Sequence, residues 1–109
     1  MIQQILTDTH RAGLVANAVA LEFGVDAEDL TRSGSKRGGR TLVMARQIAI
    51  YLCRTVFNIS AARVARVFNR HHSTVVHACE QIENYREDPR LDRHIQKLED
   101  FLALAPAAT

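Results

Sequence analysis

Ser60-Ala61-Ala62-Arg63-Val64-Ala65-Arg66-Val67-Phe68-Asn69-Arg70-His71-His72-Ser73-Thr74-Val75-Val76-His77-Ala78-Cys79 is the stretch that decides the fold. Ser60 is a capping residue, and Val64, Val67 and Phe68 recur behind it at helical spacing. Asn69-Arg70-His71 breaks the period as a tight turn. A second helix is predicted from about Ser73 to Tyr85, with Val75, Ala78, Cys79 and Ile82 as its buried stripe. That phase leaves Ser73, Thr74, His77 and Gln81 pointing out. A short helix, a tight turn and a helix with small polar residues in its first turn make the helix-turn-helix layout. In that layout the second helix enters a major groove tip first. Hydroxyl groups there can donate to or accept from base edges.

Working outward, Thr41 is the expected N-cap for a helix over Leu42–Phe57, closed by Asn58. Ala45, Ile48, Ala49, Leu52 and Val56 form its apolar stripe, and Gln47, Tyr51 and Arg54, with Arg46 beside them, form the opposite face. Upstream, helical spacing runs from Ile2 to Phe23 with Leu14, Ala18, Leu21 and Val25 in phase, and Gly24 is a stop. Gly13 leaves open one long helix or two short ones. Asp26 caps a short helix near Ala27–Leu30, and Thr31–Gly39 is a polar, basic loop. Downstream, Asp88 caps a last helix with Pro89 at its first position, and Leu91, Ile95, Leu98 and Leu102 form its apolar face. The expected architecture is all-α, about five or six helices in one domain. Residues 14–104 form the domain, 1–13 an N-terminal extension or helix start, and 105–109 a frayed tail.

Charge gives the second clue. The formal net charge is only +2, but all 12 acidic residues lie outside the span from Leu30 to Cys79. The same span holds Arg32, Lys36, Arg37, Arg40, Arg46, Arg54, Arg63, Arg66 and Arg70. A basic surface free of carboxylates suits a polyanion, because each acid there would repel phosphate. Nucleic acid is therefore the expected partner, and the helix-turn-helix layout points to double-stranded DNA. Arg63 and Arg66, on the first helix of the motif, are expected to be distant phosphate contacts or solubilising groups. Tyr51 can either stack on a sugar or cover the edge of the core.

Other classes are excluded on simple grounds. The longest apolar run, Ile48 to Cys53, is far short of the roughly 20 residues that span a bilayer. The N-terminus has no basic segment followed by an apolar one, so no signal peptide is read. Cys53 and Cys79 lack metal-type spacing and are read as reduced, buried cysteines of a cytoplasmic protein. His72 and His77 are badly spaced to share a metal with Cys79, and no carboxylate stands near. His77 and Cys79 face different sides of their helix, which argues against a catalytic pair. No metal, cofactor or catalytic residue is expected.

The segments Leu42-Val43-Met44-Ala45-Arg46-Gln47-Ile48-Ala49-Ile50-Tyr51-Leu52, Asn58-Ile59-Ser60 and His72-Ser73-Thr74-Val75-Val76-His77-Ala78 resemble the C-terminal DNA-binding domain of the bacterial replication initiator DnaA. The resemblance covers roughly Val15 to Leu102. It implies binding to a short duplex element, the DnaA box. His72, Ser73 and Thr74, with His71, would lie in the major groove. Arg46, Gln47, Arg54, His77 and Arg70 would hold the backbone. A basic-loop residue, Lys36, Arg37 or Arg40, would enter the minor groove. The chain departs from the family in places. Asn69-Arg70-His71 is one residue shorter than the family's Gly-Gly-Arg-Asp, so His71 stands where Asp is usual. Ala62 replaces a Pro, and Gly38 aligns with the minor-groove Arg. These departures bear on which sequence is recognised more than on affinity for DNA.

The 109 residues contain no Gly-x-x-x-x-Gly-Lys-Ser/Thr phosphate loop, so no ATPase is expected within them. Met1 and the distinct N-terminal segment favour a free-standing protein, acting as a monomer in the cytoplasm at the nucleoid. The expected role is control of replication initiation or of transcription. The rival reading is a protein-interaction module that binds an initiator or another replication protein through the same fold.

Overall fold

In a computed structural model of the protein, residues 2–32 and 39–105 are described. Six helices follow one another among them: α1 (Ile2–Phe23), α2 (Ala27–Thr31), α3 (Gly39–Thr55), α4 (Ala61–Phe68), α5 (His72–Tyr85) and α6 (Pro89–Ala103). Gly13 does not divide α1, which runs unbroken. No strand occurs among the described residues, so the all-α expectation holds.

Helix α3 is the central element, packed against α1 on one side and α5 on the other. Its residues Leu42, Ala45, Ile48, Ala49, Ile50, Tyr51, Leu52 and Cys53 are all buried. Phe68 from α4, Val75 and Ile82 from α5 and Ile95 from α6 join the same core at 0% exposure. Each fully buried side chain of this size contributes roughly 1.5–3 kcal/mol. Val56, Val67 and Cys79, expected inside, are only half-buried.

Local chemistry sets the breaks. Asn58 takes φ 53°, and the Ile59 N–H reaches back 3.1 Å to the Cys53 carbonyl, ending α3 in a left-handed cap. Ser60 then accepts from the Arg63 N–H and starts α4. Asn69, φ 54°, closes α4, with the Arg70 N–H bound to the Ala65 carbonyl at 2.9 Å. These two left-handed asparagines set the directions in which α4 enters and leaves, and so aim α5. Asp26 and Asp88 cap α2 and α6 as the sequence predicts, with Pro89 in the first turn of α6.

Expectations about one helix start and one buried stripe also fail. Thr41 is not a cap, because α3 already begins at Gly39, whose φ of 52° is open to glycine without strain. Leu21 is not in the buried stripe of α1: it is 88% exposed, while Ala12, Val15, Ala16 and Val19 face the core. Small side chains let α1 lie close to α3, and the larger leucine is left outside.

Polar side chains lock the helices together. Asp8 of α1, buried, takes both Nε and Nη2 of Arg63 at 2.7 and 2.8 Å. Arg63 thus pins α1 to α4, a role its place among the basic residues did not announce. Arg86 donates to Asp92 at 2.6 Å, to Glu99 at 2.8 Å and to the Tyr51 hydroxyl at 3.2 Å, tying α3 and the end of α5 to α6. Tyr51 in turn donates to Glu83. With 4% exposure, Tyr51 covers the core and does not lie on the polar face expected for it.

Candidate nucleic-acid interface

Helix α5 starts at His72, one residue earlier than predicted, and its N-cap is His71. The His71 backbone is extended, φ −72° and ψ 150°, which turns its ring back over the helix start. Its Nδ1 accepts from the Ser73 N–H at 3.1 Å and lies 2.8 Å from the Ser73 hydroxyl. One of the helix's unpaired N–H donors is thereby satisfied by an imidazole in place of the usual carboxylate or hydroxyl.

The first turn of α5 holds no acid. His71, His72, Ser73, Thr74, Val76 and His77 are exposed, and Val75 and Ala78 between them are buried. Ser73 and His77 stand four residues apart and Thr74 and His77 three, so all three share one outward face. Val76, 42% exposed, joins them without any polar signal in the sequence. It is an apolar side chain off the buried stripe, and an apolar group on such a helix can touch a thymine methyl. The helix start favours an anion, and its hydroxyl and imidazole groups can pair with base edges.

The basic residues are more occupied than their charge suggests. Arg46 donates from Nε to the Leu30 carbonyl at 3.0 Å and from Nη2 to the Asp29 carbonyl at 2.9 Å. Arg70 donates to the Arg32 carbonyl at 3.3 Å. Two guanidinium groups therefore converge on the C-terminal end of α2, where backbone carbonyls attract cations. Burial holds the Arg46 guanidinium below its ordinary pKa, and the neighbouring Arg70 charge adds to that, with Asp29 opposing. Arg54 donates to the Ile59 carbonyl at 2.9 Å, bracing the turn before α4. Gln47 is half-buried and Arg40 exposed. Lys36 and Arg37 lie outside the described residues.

The cysteines are unsuited to covalent chemistry. Both are free thiols. Burial pushes the Cys53 thiol up to about 12, and burial likewise raises that of Cys79. A thiol kept protonated is a poor nucleophile. Among the described residues no three His, Cys, Asp or Glu side chains gather as a metal site would need. Among them, too, no helix is long and apolar enough to cross a membrane.

Two helices set by a tight turn, an exposed acid-free helix tip and guanidinium groups beside it define a helix-turn-helix module of the nucleic-acid-binding type. The chain belongs to the bacterial DnaA helix-turn-helix family, whose description, bacterial dnaA protein helix-turn-helix, matches residues 13–82. It is 38% identical over 91 residues to the chromosomal replication initiator protein DnaA of Levilactobacillus brevis, covering 82% of this chain and 20% of that protein. It is 39% identical over 89 residues to DnaA of Aquifex aeolicus, covering 81% of this chain and 21% of that protein. A solved structure of a replication initiator DnaA bound to AMPPCP and single-stranded DNA superposes with a TM-score of 0.73 at 30% identity, covering 88% of this chain and 28% of that one. The crystal structure of a DNA replication initiation factor gives 0.76 at 28% identity, covering 89% of this chain and 29% of that one. The chain thus spans about a fifth of the length of the curated relatives it matches.

Proposed function

We propose that this protein binds double-stranded DNA with sequence preference through the N-terminal turn of α5, in the control of replication initiation or of transcription. The observation that carries this reading is the exposure of Ser73, Thr74 and His77 on one face, with His72 exposed beside them, at the start of a helix whose first turn has no acid. Family membership supports it.

His71, His72, Ser73 and Thr74 face base edges in the major groove. Gln47, His77 and Arg54 approach the phosphate backbone, and one of Lys36, Arg37 and Arg40 reaches the minor groove. Arg46 and Arg70 have a double task. They fasten α2, and they concentrate positive charge that a phosphate would neutralise, relieving their mutual repulsion. No cofactor, metal or catalytic group is needed for this work. The protein acts as a monomer in the cytoplasm, at the nucleoid.

The test is fluorescence-anisotropy binding to a DnaA-box duplex and a scrambled duplex over a range of salt. Tighter binding to the box, with log affinity falling linearly in log salt, is the expected result. The absence of duplex binding at low salt would end the proposal.

A second reading has one observation in its favour. Leu21, Phe101 and Leu104, on α1 and at the end of α6, are 88%, 63% and 83% exposed. Helices α1 and α6 pack on each other, and these side chains could serve contact with an initiator or other replication protein. Capture of a purified replication initiator without DNA, lost in Leu21→Ser with Phe101→Ser, would favour it.

A further inference from the structure

We infer that His71 selects the base it faces by polarity, requiring a hydrogen-bond acceptor there and rejecting cytosine. The inference rests on the proposed contact with duplex DNA and deepens it.

The Nδ1 of His71 is committed to the helix. It sits 3.1 Å from the Ser73 N–H, which can only donate, and 2.8 Å from the Ser73 hydroxyl. An Nδ1 that accepts carries no proton, so in the neutral ring the proton is on Nε2. If the ring is protonated, Nδ1–H turns to the Ser73 hydroxyl oxygen, and Nε2 still carries its proton. Whenever Nδ1 accepts from the Ser73 N–H, and whenever the ring is protonated, the free nitrogen of His71 is a donor. The residue is exposed, so that donor is available to a ligand.

Major-groove edges sort accordingly. Guanine offers two acceptors, N7 and O6, while thymine offers O4 and adenine N7. Cytosine offers only its amino donor. Donor against donor repels, and the displaced water is not replaced by any bond.

Two substitutions separate polarity from mere loss of the imidazole. His71→Asp caps the helix at least as well and presents only acceptors. His71→Asn caps through its carbonyl oxygen and turns its amide donor outward. A duplex selected by binding from a randomised library would be remade with each of the four base pairs at every position. The unaltered chain and both variants would be measured on this panel, after thermal melting confirms that each is folded.

At one position the unaltered chain should prefer guanine to cytosine by about five- to tenfold. His71→Asn should keep that preference, and His71→Asp should invert it there and nowhere else. Identical preferences for the unaltered chain and His71→Asp at all positions would overturn the inference and leave DNA binding intact. The same shift in both variants would overturn it as well. Failure of the selection to enrich any duplex would overturn the inference together with the function on which it rests.

Discussion

The carboxylate of Asp8, near the start of α1, is gripped by Arg63 of α4, 55 positions along the chain, with contacts of 2.7 and 2.8 Å. The pair is lopsided. The side chain of Asp8 is 5% exposed and that of Arg63 33%. Removing either partner therefore has unequal consequences. Arg63→Ala leaves a buried carboxylate without its guanidinium and should cost about 3 kcal/mol. Asp8→Ala leaves a guanidinium that can turn to water and should cost about 1–2 kcal/mol. Urea unfolding of the two variants checks the order, and equal losses would show that the burial of Asp8 is not what matters.

Tyr51 yields a prediction on the other flank. Its phenol is pushed up to about 12, first by burial and then by the bond to Glu83. A raised folded value means that this group's contribution is complete below the unfolded value near 10. It is lost as pH climbs through the folded value. Tyr51→Phe should cost about 1–2 kcal/mol and remove part of the alkaline sensitivity of the fold. Duplex affinity should stay unchanged, since Tyr51 is buried. Ultraviolet titration of the phenols, with binding measured alongside, gives both readouts.

Acid acts at the joint between α1 and α6. Glu22 is held below the ordinary carboxylate value chiefly by its hydrogen bond from His94, with Lys97 at 3.3 Å adding to it. A depressed carboxylate stabilises the fold fully above its unfolded value, near 4.5. The contribution disappears as pH falls through the lower folded value. Glu22→Gln should therefore destabilise at neutral pH and flatten the acid limb of a melting-temperature profile. A profile of unchanged shape would rule out this joint as an acid-sensitive contact.

Arg46 and Arg40 should separate two kinds of basic residue. Arg46 holds two carbonyls of α2, so Arg46→Ala should lower both duplex affinity and stability, the latter by about 1.5–3 kcal/mol. Arg40 is exposed, so Arg40→Ala should weaken all duplexes alike and reduce the salt slope, leaving the melting temperature in place. Thr74→Ala should act differently again, reducing the preference between duplexes by about 1–3 kcal/mol with the salt slope unchanged. Thermal melting and anisotropy titrations at several salt concentrations decide among the three patterns.

The helix order and the turn that aims α5 were legible because they are local. Ser60, Asp26, Asp88 and Pro89 act on their own next few residues, and the asparagines at 58 and 69 end helices by their own φ. What eluded the sequence was the choice between equivalent alternatives. Leu21 obeys helical spacing with Leu14 and Ala18 as well as Ala12, Val15, Ala16 and Val19 do among themselves, and only packing on α3 buries Ala18 and leaves Leu21 outside. Arginine is ambiguous in a similar way. Its charge announces a partner but not whether that partner is a phosphate, a carbonyl 16 positions away as for Arg46, or a buried carboxylate as for Arg63. The position of His71 marks it in the sequence as a candidate base reader, but its part as helix cap depends on a ring orientation that only the structure supplies.

Whether the tip of α5 meets duplex DNA is decided by backbone amide NMR of the chain titrated with a duplex. Shift changes centred on residues 70–77, joined by Arg40 and Gln47, with Leu21 and Phe101 unmoved, are expected. Changes confined to α1 and α6, or none at residues 70–77 while the duplex is bound, would contradict that contact.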